Sequence, residues 1–273
     1  MYESYWQLTQ KPFDNGDDSR FYFPDESHQG ALLKLRYAVE NRRGAALLTG
    51  AAGLGKTLLA NMLGRALDES FTPLAHAVFP QMATNELLCY LADELAGPDA
   101  AGETPGLSRS VRRIEKFLVE NAKAGRHAVL AVDEAHLIES AESFEAIRLL
   151  LNFETDGQPA MTLLLIGQTS LLPALDRMPQ LEERLAVKCL LRPFTAQETA
   201  DYVTHRLQVA GTARTIFEPD ALKTLHMLTH GVARQINRLC DLALLVGFAE
   251  ERQTLSAANL ELVCRELVEV VPE

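Results

Sequence analysis

The chain has 273 residues, of which 47% are apolar, and it carries a formal net charge of −11. This length accommodates a core domain with a smaller appendage, and the apolar content is ordinary for a globular protein that buries a sizeable core. The acidic balance argues against non-specific nucleic-acid binding over the whole surface, although a local basic strip remains compatible with it.

Targeting and metal-binding signals are absent from the sequence pattern. The first 15 residues lack a basic start followed by an apolar core, so they are not typical of a signal peptide. The longest strongly apolar run, residues 242–249, is far shorter than the ~20 residues that span a bilayer. The four cysteines form no C-x-x-C pair, which favours reduced thiols over a metal site. We therefore expect a cytoplasmic protein without a transmembrane segment.

In chain order, an aromatic-rich segment comes first and alternating helices and strands follow it. Seven of the first 23 residues are aromatic, which predicts an irregular strap held by its rings. Short apolar runs predict buried strands at residues 44–49, 74–79, 128–132, 162–166 and 186–191. Helical periodicity predicts helices at residues 27–40, 84–95, 107–124 and 143–155, and another directly after residue 55. Such alternation predicts a parallel sheet covered on both faces.

After residue 193 the pattern is helical only. Segments with helical periodicity lie at residues 196–210, 219–229, 233–249 and 256–270. We therefore predict three parts, which are an N-terminal strap at 1–26, an α/β nucleotide-binding domain at 27–193 and an all-helical domain at 194–273.

A phosphate-binding loop follows the first predicted strand. Residues 50–57 read GAAGLGKT, a complete G-x-x-x-x-G-K-[ST] motif between a predicted strand and a predicted helix. Its glycines let consecutive N–H groups form an anion-binding concavity, and the next helix points its positive end at the same phosphates. In such a loop Lys56 reaches the β- and γ-phosphates and Thr57 is a Mg²⁺ ligand. The predicted nucleotide contacts are Gly50, Ala51, Ala52, Gly53, Leu54, Gly55, Lys56, Thr57 and Leu58.

An acidic pair, Asp133 and Glu134, follows the predicted strand at 128–132. This is a Walker B pattern, in which Asp133 holds Mg²⁺ through water and Glu134 polarises the attacking water as a general base. With Ala135 and His136 the pair also spells the DEAH box of helicases. Such helicases need a second nucleotide-facing α/β domain, whereas the remainder of this chain is helical and too short for one.

Two polar residues are predicted to report on the bound nucleotide. Gln168 follows the strand at 162–166, beside the acidic pair, and is placed to sense the γ-phosphate or to orient the water. Arg234 stands in the first turn of the predicted helix at 233–249, where a cation opposes the helix dipole. A residue placed against local preference favours a functional role, so Arg234 is predicted to reach back to the triphosphate.

Arg184 precedes the last predicted strand and is a candidate arginine finger. A finger supplied to a neighbouring subunit's γ-phosphate is worth roughly 10³–10⁵ in rate where one is present. The alternative is an ordinary surface arginine, and Arg177 and Arg192 lie nearby in the sequence. A finger acting in trans implies a homo-oligomeric ring or filament.

These motifs together resemble AAA+ ATPases, and more narrowly the ATPase module of the ExeA/GspA (general secretion pathway protein A) type. The resemblance covers nearly the whole chain, and its most specific stretches are IRLLLNFET and INRLCD. Its other components are Tyr5, Leu8, Pro12-Phe13, GAAGLGKT, AVDEAHLI, LLLIGQTSL and GVARQINRLCDLALL. It implies a P-loop AAA+ core with a five-stranded parallel sheet, a C-terminal all-helical lid, ATP rather than GTP, and service to a secretion or pilus apparatus.

Two departures from that family pattern qualify the resemblance. Ala233 stands where the family commonly has proline before its sensor arginine. Secretion-type members continue into a transmembrane segment and a periplasmic domain, and the pattern of this sequence contains neither. We therefore expect a stand-alone ATPase or the ATPase module of something longer. Partner proteins would then place it at the inner face of the membrane.

A second function remains open, that of an ATP-dependent DNA-binding scaffold like the transposition regulators of the TniB/TnsC kind. Arg109, Arg112, Arg113 and Lys116 recur at helical spacing and predict one basic stripe on a helix. Such a stripe can follow a phosphate backbone, or it can be a solvated helix face.

Overall fold

The protein is described by a computed structural model over residues 1–16, 18–72, 74–98, 106–155 and 157–269. Its contacts divide the chain into two compact units. We call Ser27–Ala52 with Lys56–Leu191 the sheet unit, and Met1–Glu26, Gly53–Gly55 and Arg192–Glu273 the helical unit. The boundaries of the three predicted parts stay a prediction.

The sheet unit contains a five-stranded parallel sheet, as predicted from the alternation of strands and helices. The strands of the described chain are β1 (Ala45–Thr49), β2 (Ala75–Ala77), β3 (Ala128–Val132), β4 (Glu154–Thr155), β5 (Gln158–Pro159), β6 (Met161–Gly167) and β7 (Leu185–Leu190). The parallel sheet has the order β2-β3-β6-β1-β7, and β4 pairs with β5 in a separate hairpin. Every residue of β1, β3 and β6 is buried, which explains why these strands are continuous apolar runs.

One helix precedes β1, and further helices connect the strands, because the crossover between parallel strands needs a long segment. They are α1 (Glu26–Glu40), α2 (Lys56–Ala66), α3 (Thr84–Ala96), α4 (Leu107–Lys123), α5 (Ala141–Leu150), α6 (Leu171–Asp176) and α7 (Pro179–Glu182). The sequence pattern did not predict α6, α7 or the β4–β5 hairpin, because all of these elements are short.

The predicted helix at 143–155 is wrong at both ends. It begins at Ala141, because the Ser140 hydroxyl accepts hydrogen bonds from the N–H groups of Glu142 and Ser143. It ends at Leu150, and the Phe153 carbonyl oxygen then accepts from the Ala160 N–H at 2.9 Å, which closes the hairpin. Residues typical of a helix therefore continue into a strand because they pair in the hairpin with the residues that directly follow.

The helical unit consists of the N-terminal strap and four helices of the described chain, α8 (Ala196–Val209), α9 (Pro219–Thr229), α10 (Ala233–Ala249) and α11 (Ala257–Glu269). The strap packs through its rings, since Trp6 and Phe13 are buried in the hydrophobic core of this unit. The buried Arg206 donates to the carbonyl oxygens of Pro12 and Asp14, and so ties the strap to α8. None of the described helices is both long and apolar enough to cross a membrane.

Candidate active site

The carboxyl ends of three neighbouring strands meet at one edge of the sheet. In the register of β1 and β6, Thr49 lies opposite Gly167, and β3 pairs with the other side of β6. Gly50, Asp133 and Gln168 each follow the last residue of one of these strands. The structure thus brings the start of the phosphate-binding loop, the acidic pair and Gln168 to the same edge, where open α/β sheets bind ligands.

Lys56 is the first residue of α2 and is held inside the phosphate-binding loop. Its side chain is buried, with 6% of the residue exposed, and Nζ donates to the carbonyl oxygens of Gly50 at 3.0 Å and Ala51 at 2.9 Å. A buried ammonium group is costly unless it is paired. The loop therefore keeps a positive charge at the N-terminal end of α2, where its dipole also favours an anion.

Two features of the structure require glycine at position 53. Its φ of 80° lies in the left-handed region, and a Cβ at this position would lie 2.9 Å from the Cβ of Arg234. Both residues belong to the helical unit, and the Arg234 N–H donates to the Gly53 carbonyl oxygen at 3.1 Å. The predicted placement of Arg234 in the first turn of a helix is observed in α10, where the residue is exposed.

Thr57 and Asp133 come from different motifs and contact each other directly. The Thr57 hydroxyl donates to Asp133 Oδ2 at 2.7 Å, and His76 Nε2 lies 3.3 Å from the same oxygen. The backbone N–H of Glu134 donates to the other oxygen of this carboxylate, Oδ1, at 2.8 Å. Only 4% of the Asp133 side chain is exposed, so its orientation is set by these three partners.

The electrostatics of Asp133 keep it ionised. Burial acts to raise the pKa of this carboxyl, but the hydrogen bonds from His76, Thr57 and the Glu134 N–H outweigh burial and hold the pKa below its usual range. A carboxylate that stays charged in a buried setting is suited to a cation.

The donor set of this pair fits Mg²⁺. A hydroxyl and a carboxylate are hard oxygen donors, and Mg²⁺ is usually bound by one or two carboxylates together with substrate phosphates. Within the described ranges, no group of three or more His, Cys, Asp or Glu side chains is placed to hold a metal ion. Two such oxygen donors, the Thr57 hydroxyl and the Asp133 carboxylate, lie side by side at this edge.

Glu134 stands in an unusual backbone conformation beside this pair. Its φ of 51° and ψ of 31° are left-handed, which costs a non-glycine residue about 1 kcal/mol or more. Its side chain is 44% exposed, and Oε2 lies 3.3 Å from His136 Nδ1. The turn thus places two adjacent carboxylates in different environments, because Asp133 faces the protein interior and Glu134 faces solvent.

Gln168 is linked to the acidic pair through the same histidine. Its backbone N–H lies 3.4 Å from His136 Nδ1, and its side chain is partly buried. Gly167 makes this approach possible, because a Cβ there would lie 3.2 Å from the His136 backbone nitrogen and 3.4 Å from its Nδ1.

Arg184 lies where the amino ends of the parallel strands meet. Its carbonyl oxygen accepts from the N–H of Ala45, the first residue of β1. The phosphate-binding loop begins after Thr49, the last residue of the same strand. Five residues of strand separate these positions by roughly 16 Å. The exposed side chain donates through Nη2 to Asn152 Oδ1 at 3.0 Å. The structure therefore does not bring Arg184 to the phosphate-binding loop of its own sheet unit.

The predicted basic stripe on α4 is interrupted. Arg113 donates to Asp93 Oδ1 at 2.8 Å and to the Gly97 carbonyl oxygen, and only 17% of its side chain is exposed. Lys116 lies 3.8 Å from Glu120. Arg109 and Arg112 are exposed. Four cations were predicted from their spacing to form the stripe. Only three of them lie at the surface, because Arg113 turns toward α3.

Sequence reasoning did not assign three residues that contact the predicted site residues. His76 reaches Asp133, His136 lies between Glu134 and Gln168, and Asn152 holds Arg184. Of these, only His136 had a local signal, since it directly follows the acidic pair and Ala135. The other two approach from distant parts of the chain.

Comparison with known proteins places this site in a family context. Residues 39–175 match the sequence family described as AAA domain. The chain is 35% identical over 270 residues to General secretion pathway protein A of Aeromonas hydrophila, in an alignment covering 98% of this chain and 48% of that protein. It therefore spans about half the length of this curated relative. The predicted resemblance to the ExeA/GspA type is confirmed.

Several solved structures share the fold. The Aeropyrum pernix ORC2 protein in its ADPNP–ADP complexes superposes with a TM-score of 0.72 at 17% identity, covering 97% of this chain and 73% of that one. The Aeropyrum pernix ORC1 protein in complex with DNA gives 0.68 at 16% identity, covering 92% and 68%. The Thermotoga maritima RuvB Holliday junction branch migration motor gives 0.63 at 19% identity, covering 93% and 73%. At such identities the likeness shows the fold alone, and it confirms the predicted P-loop core with a helical C-terminal part.

Proposed function

Because this chain belongs to the AAA domain family, we propose that it binds and hydrolyses ATP with Mg²⁺ and couples the reaction to assembly or remodelling of a secretion or pilus apparatus. The observation that carries the hydrolytic part is the 2.7 Å hydrogen bond between Thr57 and Asp133. It joins the phosphate-binding loop to the acidic pair, so that the residues proposed to bind phosphate and cation stand beside Glu134.

Each residue at this edge has a task that its chemistry explains. Lys56 and the backbone N–H groups of the loop bind the β- and γ-phosphates. Thr57 and Asp133 hold Mg²⁺, which when bound neutralises charge on the phosphate oxygens. Glu134 faces solvent and accepts a proton from the attacking water. Gln168 orients that water or senses the γ-phosphate.

Two arginines complete the proposed mechanism. Arg234 reports the nucleotide state from the first turn of α10, supported by its backbone contact with Gly53 of the loop. Arg184 completes the site of a neighbouring subunit, supported by its position at the edge of the sheet away from its own loop. This arrangement requires a homo-oligomer in the form of a ring or filament.

Service to a secretion or pilus apparatus is supported by the likeness to General secretion pathway protein A over 98% of this chain. That likeness covers 48% of the relative, so the partners stay part of the proposal. Contact with such partners would keep this protein at the cytoplasmic face of the inner membrane.

Steady-state ATPase rate against protein concentration tests this function. Hydrolysis by an oligomer with a trans arginine predicts a rate per subunit that rises with concentration and needs Mg²⁺. Glu134→Gln is the matched control, because it keeps the size of the side chain and removes the base. A wild-type rate no higher than that of this variant would refute the proposal that the protein hydrolyses ATP.

A second candidate, the ATP-dependent DNA-binding scaffold, is supported by the exposed cations of α4. Arg109, Arg112 and Lys116 share one face of this helix, and such a row suits a phosphate backbone. The test is assembly on double-stranded DNA at low salt, with Arg109→Glu combined with Arg112→Glu. Arg265→Glu, an exposed charge reversal on α11, controls for net charge.

The outcome separates the two functions. A scaffold requires DNA for the rise in rate, and loses that rise in the double variant alone. An energy-coupling ATPase for protein partners keeps its rate with or without DNA, and the double variant then behaves like Arg265→Glu.

A further inference from the structure

The His136 imidazole lies between two groups to which the proposed hydrolysis assigns tasks. It follows the left-handed Glu134 in a single turn of 3-10 helix, Ala135–Leu137, that packs against the end of β6. Nδ1 lies 3.3 Å from Glu134 Oε2 and 3.4 Å from the Gln168 backbone nitrogen. The side chain is 11% exposed, so the ring has little freedom to turn away from both.

One ring nitrogen cannot satisfy both neighbours. The Gln168 N–H is a donor and needs a lone pair on Nδ1, whereas the Glu134 carboxylate is an acceptor and needs a proton there. A neutral imidazole carries its proton on one nitrogen only, so Nδ1 presents a lone pair in one tautomer and an N–H in the other. The two hydrogen bonds therefore exclude each other.

We propose that His136 is a positioning residue whose Nδ1 holds either the Gln168 backbone or the Glu134 carboxylate, so that capture of one group releases the other. This inference rests on the proposed hydrolysis of ATP. The two arrangements differ in whether Nδ1 presents a lone pair or an N–H to its neighbour.

Each arrangement has a different consequence for Glu134. When Nδ1–H donates to Glu134, one carboxylate oxygen is occupied and the group is a weaker acceptor for a proton from water. When Nδ1 accepts from Gln168, the carboxylate is free to turn to solvent, toward which its side chain already opens. A shift of the strand end that carries Gln168 thereby sets the availability of the base.

The close packing around His136 gives this coupling a short path. Gly167 lies beside the ring, and a Cβ on it would lie 3.4 Å from Nδ1 and 3.1 Å from the Leu171 side chain. A movement at the end of β6 is therefore transmitted to Nδ1 without an intervening flexible segment.

Three substitutions at His136 separate this role from simple packing. In His136→Asn the amide group stands near the place of Nδ1 and offers both an acceptor and a donor there. In His136→Gln the amide reaches the place of Nε2, although glutamine is nearer to histidine in volume. His136→Ala removes both. A packing role predicts that Gln substitutes at least as well as Asn, whereas the proposed role predicts that only Asn does.

The first readout uses the nucleotide-free protein. Residue-resolved amide hydrogen exchange should rise roughly tenfold at Gln168 in His136→Ala and His136→Gln, which is the loss expected for one hydrogen bond. It should stay near wild type in His136→Asn. Unchanged exchange at Gln168 in all three variants would overturn the proposal.

The second readout is the division between kcat and KM for ATP. The Ala and Gln variants should lose roughly tenfold in kcat with unchanged KM and unchanged affinity for a non-hydrolysable analogue, and Asn should restore most of kcat. Equal rates for Gln and Asn, or a loss of affinity instead of kcat, would show a packing role. If wild-type turnover equals that of Glu134→Gln, the proposed hydrolysis of ATP is refuted. Amide exchange at Gln168 then still shows whether His136 accepts its hydrogen bond.

Discussion

The carbonyl oxygen of Arg184 accepts a hydrogen bond from the Ala45 N–H at 3.2 Å, at the opposite end of β1 from the phosphate-binding loop. We propose that a side chain anchored there serves hydrolysis in the site of a neighbouring subunit. Asn152 orients the guanidinium group by accepting from Nη2.

We expect Arg184→Ala to lower the ATPase rate by about 10³-fold, because an arginine finger stabilises charge in the transition state. Mixing it with Lys56→Ala tests the action in trans, since one variant keeps an intact nucleotide site and the other an intact finger. The mixture should regain activity that neither variant has alone. Arg177→Ala, an exposed arginine next to α6, is the control. A mixture no more active than the sum of its parts would argue for a surface arginine.

Glu134→Gln should bind ATP with near wild-type affinity and hydrolyse it roughly 10²–10⁴-fold more slowly, because the amide cannot accept the proton of the attacking water. Single-turnover kinetics and an analogue titration measure the two quantities separately. Glu139→Gln, an exposed neighbour in sequence, should leave both unchanged. Near-normal turnover in Glu134→Gln would remove the Walker B assignment.

Lys56→Ala should lose most of its affinity for triphosphate, by more than about tenfold, because the buried ammonium group supplies charge inside the loop. A fluorescent nucleotide titration measures this loss. Lys34→Ala, on the exposed face of α1, tests whether any lost lysine has the same effect. Equal affinity in Lys56→Ala and wild type would contradict the proposed phosphate contact.

His127 predicts how stability depends on pH. Burial, with the nearby charge of Arg42, lowers its pKa from 6.5 to about 4, and its ring lies 2.9 Å from the Thr162 hydroxyl. The unfolded chain takes up a proton below pH 6.5 while the folded protein does not. Stability is therefore complete above pH 6.5 and is lost as the pH falls toward 4.

We expect protonation of His127 in the unfolded chain to remove about 2 kcal/mol of unfolding free energy between pH 7 and pH 4.5. Urea unfolding of wild type and His127→Gln measures it, because glutamine keeps an N–H near Nε2 and does not titrate. On acidification the wild type should lose more unfolding free energy than the variant does. Parallel pH curves would show that His127 is not the titrating group.

Local motifs predicted the phosphate-binding loop and the acidic pair, because their chemistry depends on adjacent residues and on a strand before them. The buried strands β1, β3 and β6 were likewise predicted, since strands covered on both faces are continuous apolar runs. The end of α5 was not predicted, because the Phe153 carbonyl oxygen accepts from the N–H of Ala160, which follows β5 on the other side of the hairpin.

The sequence by itself determined the G-x-x-x-x-G-K-[ST] loop, the parallel sheet and the position of the acidic pair, because each depends on neighbouring residues or on short apolar runs. Only the tertiary structure decided which side chains meet. It placed His76 on Asp133, drew His136 between Glu134 and Gln168, and turned Arg113 toward Asp93. The physical reason is that these contacts depend on strand order and register, which join residues that are distant along the chain.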